Sequence, residues 1–249
     1  MQLWTMEHAK TLLPAVVVML LASLGLRAWL GKKPLKVRMI PLQITTCVLL
    51  LLEVGKQVLS LKQGYDLYHL PFHYCSLFLF VMPVMCLYHG KHRQTVSTIS
   101  MSICAAMFLL LMIYPCLIYS DGNIREFFTN YFSFHTVAYH NLVVFLFLQM
   151  IALELYTPGE KKEQWAVVLF IIVFCAVSAS MAHIRETNYA NFYSCNIAPL
   201  EAVRLAVANA IGQFAAKLVY IAIVSALNVL FTLGAYYLCR LGHKVTKLK

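Results

Sequence analysis

Long apolar runs alternate with short polar segments along the whole chain of 249 residues. Each run is about 20 residues long, which is enough for an α-helix to cross a bilayer core of about 30 Å. The polar segments are short, so the pattern predicts one all-α domain over residues 1–249, a polytopic transmembrane helix bundle. We predict about seven spans, at approximately residues 11–30, 39–61, 71–89, 95–119, 136–156, 164–183 and 207–239.

The composition supports this class of protein. Hydrophobic residues make up 61% of the chain and charged residues only 12%, whereas soluble domains usually carry about 25% charged residues. The eight cysteines form no CxxC pair. Most of them lie inside apolar runs, where cysteine behaves as a small hydrophobe.

The distribution of charge predicts an orientation. The formal net charge is +10, and twelve of the twenty Lys and Arg residues lie in the C-terminal tail and the loops after spans one, three and five. By alternation these segments share one side, which the positive-inside rule makes cytoplasmic. We therefore expect the N-terminus outside and the C-terminus in the cytoplasm. The basic residues form no continuous face, so we expect no nucleic-acid partner.

Span two carries two charged residues within the sequence LLLLEVGKQVL. Glu53 and Lys56 are three positions apart and share a helix face. Charges inside the hydrocarbon are costly and normally face the protein interior or a water-filled cavity. The pair is either a structural ion pair near the outer end of the helix, or a functional pair that orients a neighbouring site residue or carries a proton.

Span three begins with LPFHYCSL, which brings a histidine and a cysteine to the outer interface. Pro71 suits the first helical position, because its missing N–H has no helical partner there. Residues two apart on an α-helix point about 200° apart, so His73 and Cys75 can act on one substrate atom only if the first turn is distorted. The structural alternatives are a hydrogen-bonded anchor for His73 and a small buried hydrophobe for Cys75.

Span five begins with FSFHTVAYHNLVVFLFL, an unusually polar start for a buried helix. His135 lies at its boundary and His140 about one turn inside. Ionisable residues inside a membrane are functional candidates by default. Spans three and five begin on the same side by alternation, so we predict that His73 and His140 lie at similar depth in the outer leaflet.

The outer segment before span seven contains ETNYANFYSCN. The amides of Asn188, Asn191 and Asn196 are able to clamp a headgroup or an oxyanion. Their alternative role is in caps and turns, which asparagine favours for its own reasons.

Other motifs add little chemistry. Lys217 in span seven either snorkels to the interface or pairs with an acid such as Glu53 or Glu201. The histidine spacings match no metal-binding motif, and there is no GxSxG elbow, P-loop or GxGxxG. We predict no metal site and no cofactor.

Five motifs, in this order, together resemble one family. LEVGKQ, LPFHYCSL, FSFHTVAYHNLVVFLFL, LYTPGE and TNYANF lie between about residue 45 and residue 235. Their ordered set resembles the YwaF-like integral membrane proteins, which occur widely in bacteria and with which the animal transmembrane protein 164 belongs. The resemblance implies a multi-pass protein of a bacterial cell membrane.

The resemblance also implies an activity. The animal relative is described as an acyltransferase that moves fatty acyl chains between phospholipids, using a cysteine and a histidine. By correspondence, His140 is the catalytic histidine and His73 the motif histidine. Glu53, Asn188 and Asn191 also have counterparts in the family.

The family's cysteine position, between Pro71 and His73, is occupied by Phe72 in this chain. Cys75 lies about one helical turn further in, on roughly the same face. The resemblance thus implies a phospholipid-directed acyltransferase with His140 as general base and Cys75 as the candidate acyl carrier. The sequence leaves open whether any reaction is catalysed.

The same polar residues also fit a non-catalytic protein. In the enzyme, His73, Asn188 and Asn191 would bind the carbonyl or the headgroup of a membrane phospholipid, the expected partner. In the alternative, the cavity belongs to a transporter or a lipid- or small-ligand-binding protein and is lined by the same charged and polar groups, Glu53 and Lys56 included. The chain shows no inverted repeat, the usual indication of a transporter.

Overall fold

The computed structural model describes residues 3–195 and 198–247. It is 80% helix and has no strand within those residues, which confirms the predicted all-α class. The α-helices are α1 (Met6–Leu30), α2 (Leu35–Arg38), α3 (Ile40–Lys62), α4 (Leu77–Leu87), α5 (Arg93–Ile113), α6 (Asp121–Arg125), α7 (Tyr131–Ala152), α8 (Lys161–Ile184), α9 (Ala198–Ile211) and α10 (Gln213–Lys247). Short 3-10 helices occupy Leu67–His69, Tyr74–Ser76, Pro115–Leu117 and Tyr189–Asn191.

A multi-pass bundle is confirmed by the length and hydropathy of these helices. Within the described part of the chain, six segments are long and apolar enough to cross a membrane. They are Met6–Leu30, Leu35–Lys62, Arg93–Ile113, Tyr131–Ala152, Lys161–Ile184 and Gln213–Lys244. The orientation of the bundle in the membrane stays a prediction.

The third predicted span, 71–89, is shorter in the structure. Its apolar helix covers Tyr74–Leu87, which is about 21 Å at 1.5 Å per residue. That length is less than a bilayer core of about 30 Å. The prediction that Pro71 begins this helix is wrong, because the chain is still extended at His73, with φ −82° and ψ 156°.

The core of the bundle is built around α5, which packs against α4, α7, α8 and α10. Its buried face is rich in small side chains, namely Ser97, Ser100, Ser102, Ala105 and Ala106. Small residues let helix backbones come close together, and the resulting van der Waals contacts help to hold helices together in a membrane. The outer faces of α1 and α10 carry exposed apolar side chains, as expected for surfaces that contact lipid.

One end of the bundle gathers the polar residues. There α3 and α8 end, while α4 and α7 begin. Side-chain hydrogen bonds join these ends: the hydroxyl of Tyr131 donates to the carbonyl of Leu52 at 3.0 Å, and the hydroxyl of Ser178 donates to the carbonyl of Phe72 at 2.9 Å. This end contains the candidate site.

Gly55 is required by the contact between α3 and α7, because a β-carbon there would meet the hydroxyl and ring of Tyr131. We expect Gly55→Ala to destabilise the protein by about 1–3 kcal/mol, the usual cost of overpacking. Gly25→Ala is the matched control, since nothing lies within 4 Å of its new β-carbon. That control should stabilise the protein by roughly 0.5–1 kcal/mol, because alanine favours the helix. Unfolding in detergent measures both effects.

A second variant tests the same contact. Tyr131→Phe removes the hydroxyl that a β-carbon at Gly55 would meet, together with its hydrogen bond to Leu52. The double variant Gly55→Ala/Tyr131→Phe should therefore lose less stability than the sum of the losses measured for the two single variants. Strict additivity would contradict the proposed clash.

Candidate functional site

A polar cavity of about 290 Å³ lies at the polar end of the bundle. The residues that line it include seven candidates from the sequence, Glu53, Lys56, His73, Cys75, His140, Asn188 and Asn191. They come from four separate parts of the chain. Alternation of spans predicts that His73 and His140 lie at similar depth, and in the structure both line this one cavity.

The carboxylate of Glu53 is the centre of a buried hydrogen-bond network. Lys56 Nζ lies 2.7 Å from Glu53 Oε1, and Gln57 Nε2 donates to the same oxygen at 2.7 Å. His135 Nε2 donates to Oε2 at 3.0 Å from helix α7. The charge of Glu53 is therefore paired and hydrogen-bonded, as a buried charge must be to be tolerated.

His140 is held by its own helix in a defined tautomer. Its Nδ1 lies 2.6 Å from the carbonyl oxygen of Thr136. A carbonyl only accepts, so Nδ1 carries the hydrogen and a neutral ring keeps its lone pair on Nε2. The described residues provide no hydrogen bond to Nε2, so this nitrogen remains available as a base.

His73 lies in the extended segment before α4 and not on the helix. Its Nε2 donates to the carbonyl of Tyr68 at 3.0 Å. The ring contacts those of Tyr68 and Tyr189, with centroids 4.4 Å and 5.4 Å away. This leaves the lone pair of a neutral His73 on Nδ1.

The helical separation predicted for His73 and Cys75 does not apply in the structure. The first turn over Tyr74–Ser76 is a 3-10 helix, and His73 precedes it in an extended conformation. Both residues line the polar cavity. The physical reason is tertiary, because the hydrogen bond from Ser178 to the carbonyl of Phe72 holds the segment before the helix.

Cys75 is linked to the helix that carries His140. The hydroxyl of Tyr139, the residue before His140, donates to the backbone carbonyl of Cys75 at 3.0 Å. This hydrogen bond fixes the 3-10 turn Tyr74–Ser76, which leads into α4, against α7. The Cys75 thiol is one of the groups that line the cavity.

The asparagines of the outer segment shape the loop as well as lining the cavity. Asn188 Oδ1 accepts from the backbone N–H groups of Tyr193 and Ser194 at 3.2 and 3.1 Å. Asn191 adopts a φ of 63°, in the left-handed region that asparagine tolerates. Asn188 and Asn191 therefore both have the role in turns that the sequence offers as the alternative to ligand binding. Asn196 lies outside the described residues.

Ala190 also has a left-handed backbone, with a φ of 46°. Such a conformation is costly for a residue with a β-carbon, and strained residues of this kind concentrate at functional sites. Ala190 lines the polar cavity together with Asn191.

Burial lowers the pKa values of two histidines in the segment before α4. It lowers the pKa of His73 below its ordinary value of 6.5, although the hydrogen bond to the carbonyl of Tyr68 opposes this shift. Burial likewise lowers the pKa of His69, whose Nδ1 lies 2.7 Å from Ser60 Oγ. Both rings are therefore neutral around pH 7.

Comparison with known proteins gives one match. The model of the TMEM164 family matches residues 3–237. The chain belongs to the TMEM164 family. Neither the curated proteins nor the solved structures include a match to it.

For this member of the family, the position of Phe72 has a clear structural role. Its ring packs edge-on against that of Tyr189, with centroids 5.4 Å apart. Phe72 is not among the residues that line the polar cavity, whereas Cys75 is. The thiol that this cavity offers is thus that of Cys75.

Several residues of the site were missed by sequence reasoning. His135 was placed at the boundary of its span, yet it is buried and bonds Glu53. The signal for it was a second histidine near His140 on the same helix. Tyr68, His69 and Tyr139 line the cavity as well, but tyrosines and histidines near an interface give no distinctive pattern.

Lys217 does not pair with either predicted acid. It is exposed on α10, while Glu53 pairs with Lys56 and Glu201 pairs with Arg204 at 2.5 Å. Across residues 3–195 and 198–247, no group of three or more His, Cys, Asp or Glu side chains is placed to hold a metal ion.

Removing the charge of Glu53 should destabilise the fold strongly. Glu53→Gln leaves Lys56 partly buried without its carboxylate partner, and we expect a loss of about 3 kcal/mol. Glu53→Gln combined with Lys56→Met should recover part of this loss, because no unpaired cation remains. Unfolding in detergent measures all three proteins.

The exposed ion pair between Arg27 and Glu154, at 2.9 Å, provides the control. Glu154→Gln should change stability by no more than about 1 kcal/mol, since exposed pairs contribute little. If Glu53→Gln were as mild as Glu154→Gln, the Glu53 network would not support the fold.

Acid should weaken the fold through His73. Its pKa is lowered in the folded protein, so below pH 6.5 the unfolded chain binds a proton that the folded protein does not. Stability is therefore expected to fall as the pH drops through 6.5 towards the lowered pKa. His73→Gln keeps a donor for the carbonyl of Tyr68 but does not titrate, so its unfolding free energy should depend less on pH. An unchanged pH dependence would contradict this.

Proposed function

We propose that the protein is a membrane-embedded acyltransferase that moves fatty acyl chains between phospholipids in the polar cavity. The observation that carries the proposal is the tautomer of His140. Its Nδ1–H is held by the carbonyl of Thr136, which leaves Nε2 as a base in a cavity that also contains the thiol of Cys75. A base and a nucleophile in one cavity are the basic requirement of acyl transfer.

In the first half-reaction, His140 Nε2 accepts the thiol proton as the sulfur of Cys75 attacks the ester carbonyl of a donor phospholipid. A C–S bond forms and the ester C–O bond breaks. His140 returns the proton to the departing oxygen, which leaves as the hydroxyl of a lysophospholipid. The acyl chain is then held on Cys75 as a thioester.

In the second half-reaction, His140 accepts the proton of the hydroxyl of an acceptor lysophospholipid. The oxygen of that hydroxyl attacks the thioester carbonyl, an ester C–O bond forms and the C–S bond breaks. The proton returns from His140 to the sulfur of Cys75. The protein is unchanged and one acyl chain has moved between two lipids.

The remaining groups of the cavity would bind and orient the lipid. His73 and the amides of Asn188 and Asn191 would contact the reacting carbonyl or the headgroup, where donors stabilise developing negative charge. Glu53 and Lys56 would act indirectly, because their network fixes α3 against α7 and so positions His140. The distribution of basic residues supports a site that faces the outer leaflet, and the family motifs support a bacterial cell membrane.

A second candidate is a lipid-binding or lipid-transporting protein that uses the same cavity without turnover. The observation in its favour is Phe72, which occupies the position where the family resemblance implies a catalytic cysteine. In that case the charged and polar side chains would bind a headgroup, and Cys75 would be a small packing residue.

Acyl exchange in reconstituted vesicles tests the proposal. The purified protein is placed in vesicles with an isotope-labelled donor phospholipid and an unlabelled lysophospholipid, and the products are measured by mass spectrometry. His140→Ala should reduce exchange by about 10²–10⁴-fold, the usual contribution of a general base. Cys75→Ala should abolish exchange through the thioester. Cys86→Ala, a buried cysteine of α4 away from the cavity, is the matched control and should retain exchange.

The outcomes separate the candidates. Full exchange by His140→Ala overturns the proposed base. Exchange that survives Cys75→Ala but not His140→Ala replaces the thioester with direct transfer between lipids. No exchange by any protein, together with stabilisation of the fold by added phospholipid, favours the binding protein.

A further inference from the structure

A second cavity lies beside the polar one. It is a groove of about 500 Å³ between α5, α9 and α10, and we call it the apolar groove. Its walls are mostly aliphatic or aromatic, with Val203, Val207, Ile223, Leu227 and Phe231 among them. Its volume is within the range of about 300–1,000 Å³ that is usual for ligand sites.

The apolar groove and the polar cavity share part of their walls. The residues that line both are Tyr74, Leu110, Leu117, Ala190 and Asn191. The hydroxyl of Tyr220, which lines the groove, donates to the carbonyl of Asn191 at 2.6 Å. The groove therefore lies directly beside the polar cavity, and the strained segment at Ala190 and Asn191 lines both.

The charges at the groove are already neutralised. Arg204 is paired with Glu201 through two hydrogen bonds, from Nε at 2.8 Å and from Nη2 at 2.5 Å. Its guanidinium also lies 5.5 Å from the centre of the Tyr220 ring. Because this arginine has its partner, the groove does not call for an anionic ligand.

We infer that the apolar groove holds the acyl chain of the phospholipid whose ester group lies in the polar cavity. This inference rests on the proposed function. The occupant follows from chemistry, because a group with a polar ester at one end and a long alkyl chain at the other matches a polar cavity with an apolar groove directly beside it. The exposed side chains of Ile223 and Leu227 on α10 put the groove in reach of bilayer lipids.

The groove would select a chain and would contribute little affinity. Lipid tails are as apolar as the groove, so moving a chain from the bilayer into it removes no apolar surface from water. What the groove supplies is shape: side chains that pack against the methylene groups and direct the ester towards His140. Bulk added to the groove should therefore act by steric exclusion.

Photocrosslinking tests the inference without requiring turnover. The protein is reconstituted in phosphatidylcholine vesicles that contain a phosphatidylcholine with a photoreactive diazirine in mid-chain, and the labelled residues are mapped by mass spectrometry. We expect labels at Val207 and Ile223. Leu227→Trp should lower labelling at these positions by about tenfold, the effect of overpacking a filled site.

Leu218→Trp is the matched control. Leu218 is 53% exposed on the same helix and does not line the groove. It lies on the side opposite Leu227, since nine positions correspond to two and a half turns. This variant should leave groove labelling at the wild-type level. A parallel arm with a photoreactive free fatty acid distinguishes the source of the chain, and labelling by the fatty acid alone would overturn the inference.

The result also separates the inference from the proposed function. Groove labelling that falls in Leu227→Trp supports the groove even if no acyl exchange is found, in which case only the proposed enzyme fails. Acyl exchange with groove labelling unchanged in Leu227→Trp overturns the groove and leaves the enzyme in place. Wild-type protein without labels at Val207 and Ile223 overturns the groove whether or not the variant folds.

Discussion

The buried carboxylate of Glu53 is the interaction on which the polar end of the bundle depends. Lys56 and Gln57 on its own helix neutralise and hydrogen-bond it, and His135 reaches it from α7. A buried ion pair is a weak source of net stability, because removing two charges from water costs about as much as their attraction returns. Its value here is positional: it fixes the register of α3 against α7 and so holds His140 at the cavity.

The start of the short helix α4 (Leu77–Leu87) is set by contacts from other helices, whereas most partners of Glu53 lie on its own helix. Ser178 on α8 and Tyr139 on α7 bind the backbone carbonyls of Phe72 and Cys75. The bond from Ser178 satisfies the Phe72 carbonyl, which a longer helix would have paired internally, and the bond from Tyr139 ties the Cys75 carbonyl to α7. The resulting extended segment presents His73 to the cavity where Cys75 also lies.

A polar cavity beside an apolar groove is a natural arrangement for chemistry on a lipid. Helices inside a bilayer gain nothing from burying apolar surface, so their packing depends on small residues and hydrogen bonds. Small side chains of α5 let the helices pack closely, and the backbone at Ala190 and Asn191 turns between the two spaces. A lipid's ester and chain differ in polarity in the same way as the two spaces do.

The sequence by itself determined the all-α class, the multi-pass organisation and the grouping of Glu53, His73 and His140 at one end. Hydrocarbon forces the backbone into helices, and alternation of spans then assigns each residue to an end. Tertiary structure alone decided that α4 begins after His73, that His135 bonds Glu53, and that Asn188 uses its amide oxygen within its own loop. These outcomes depend on individual hydrogen bonds, most of them between residues far apart in the chain, which helical periodicity does not encode.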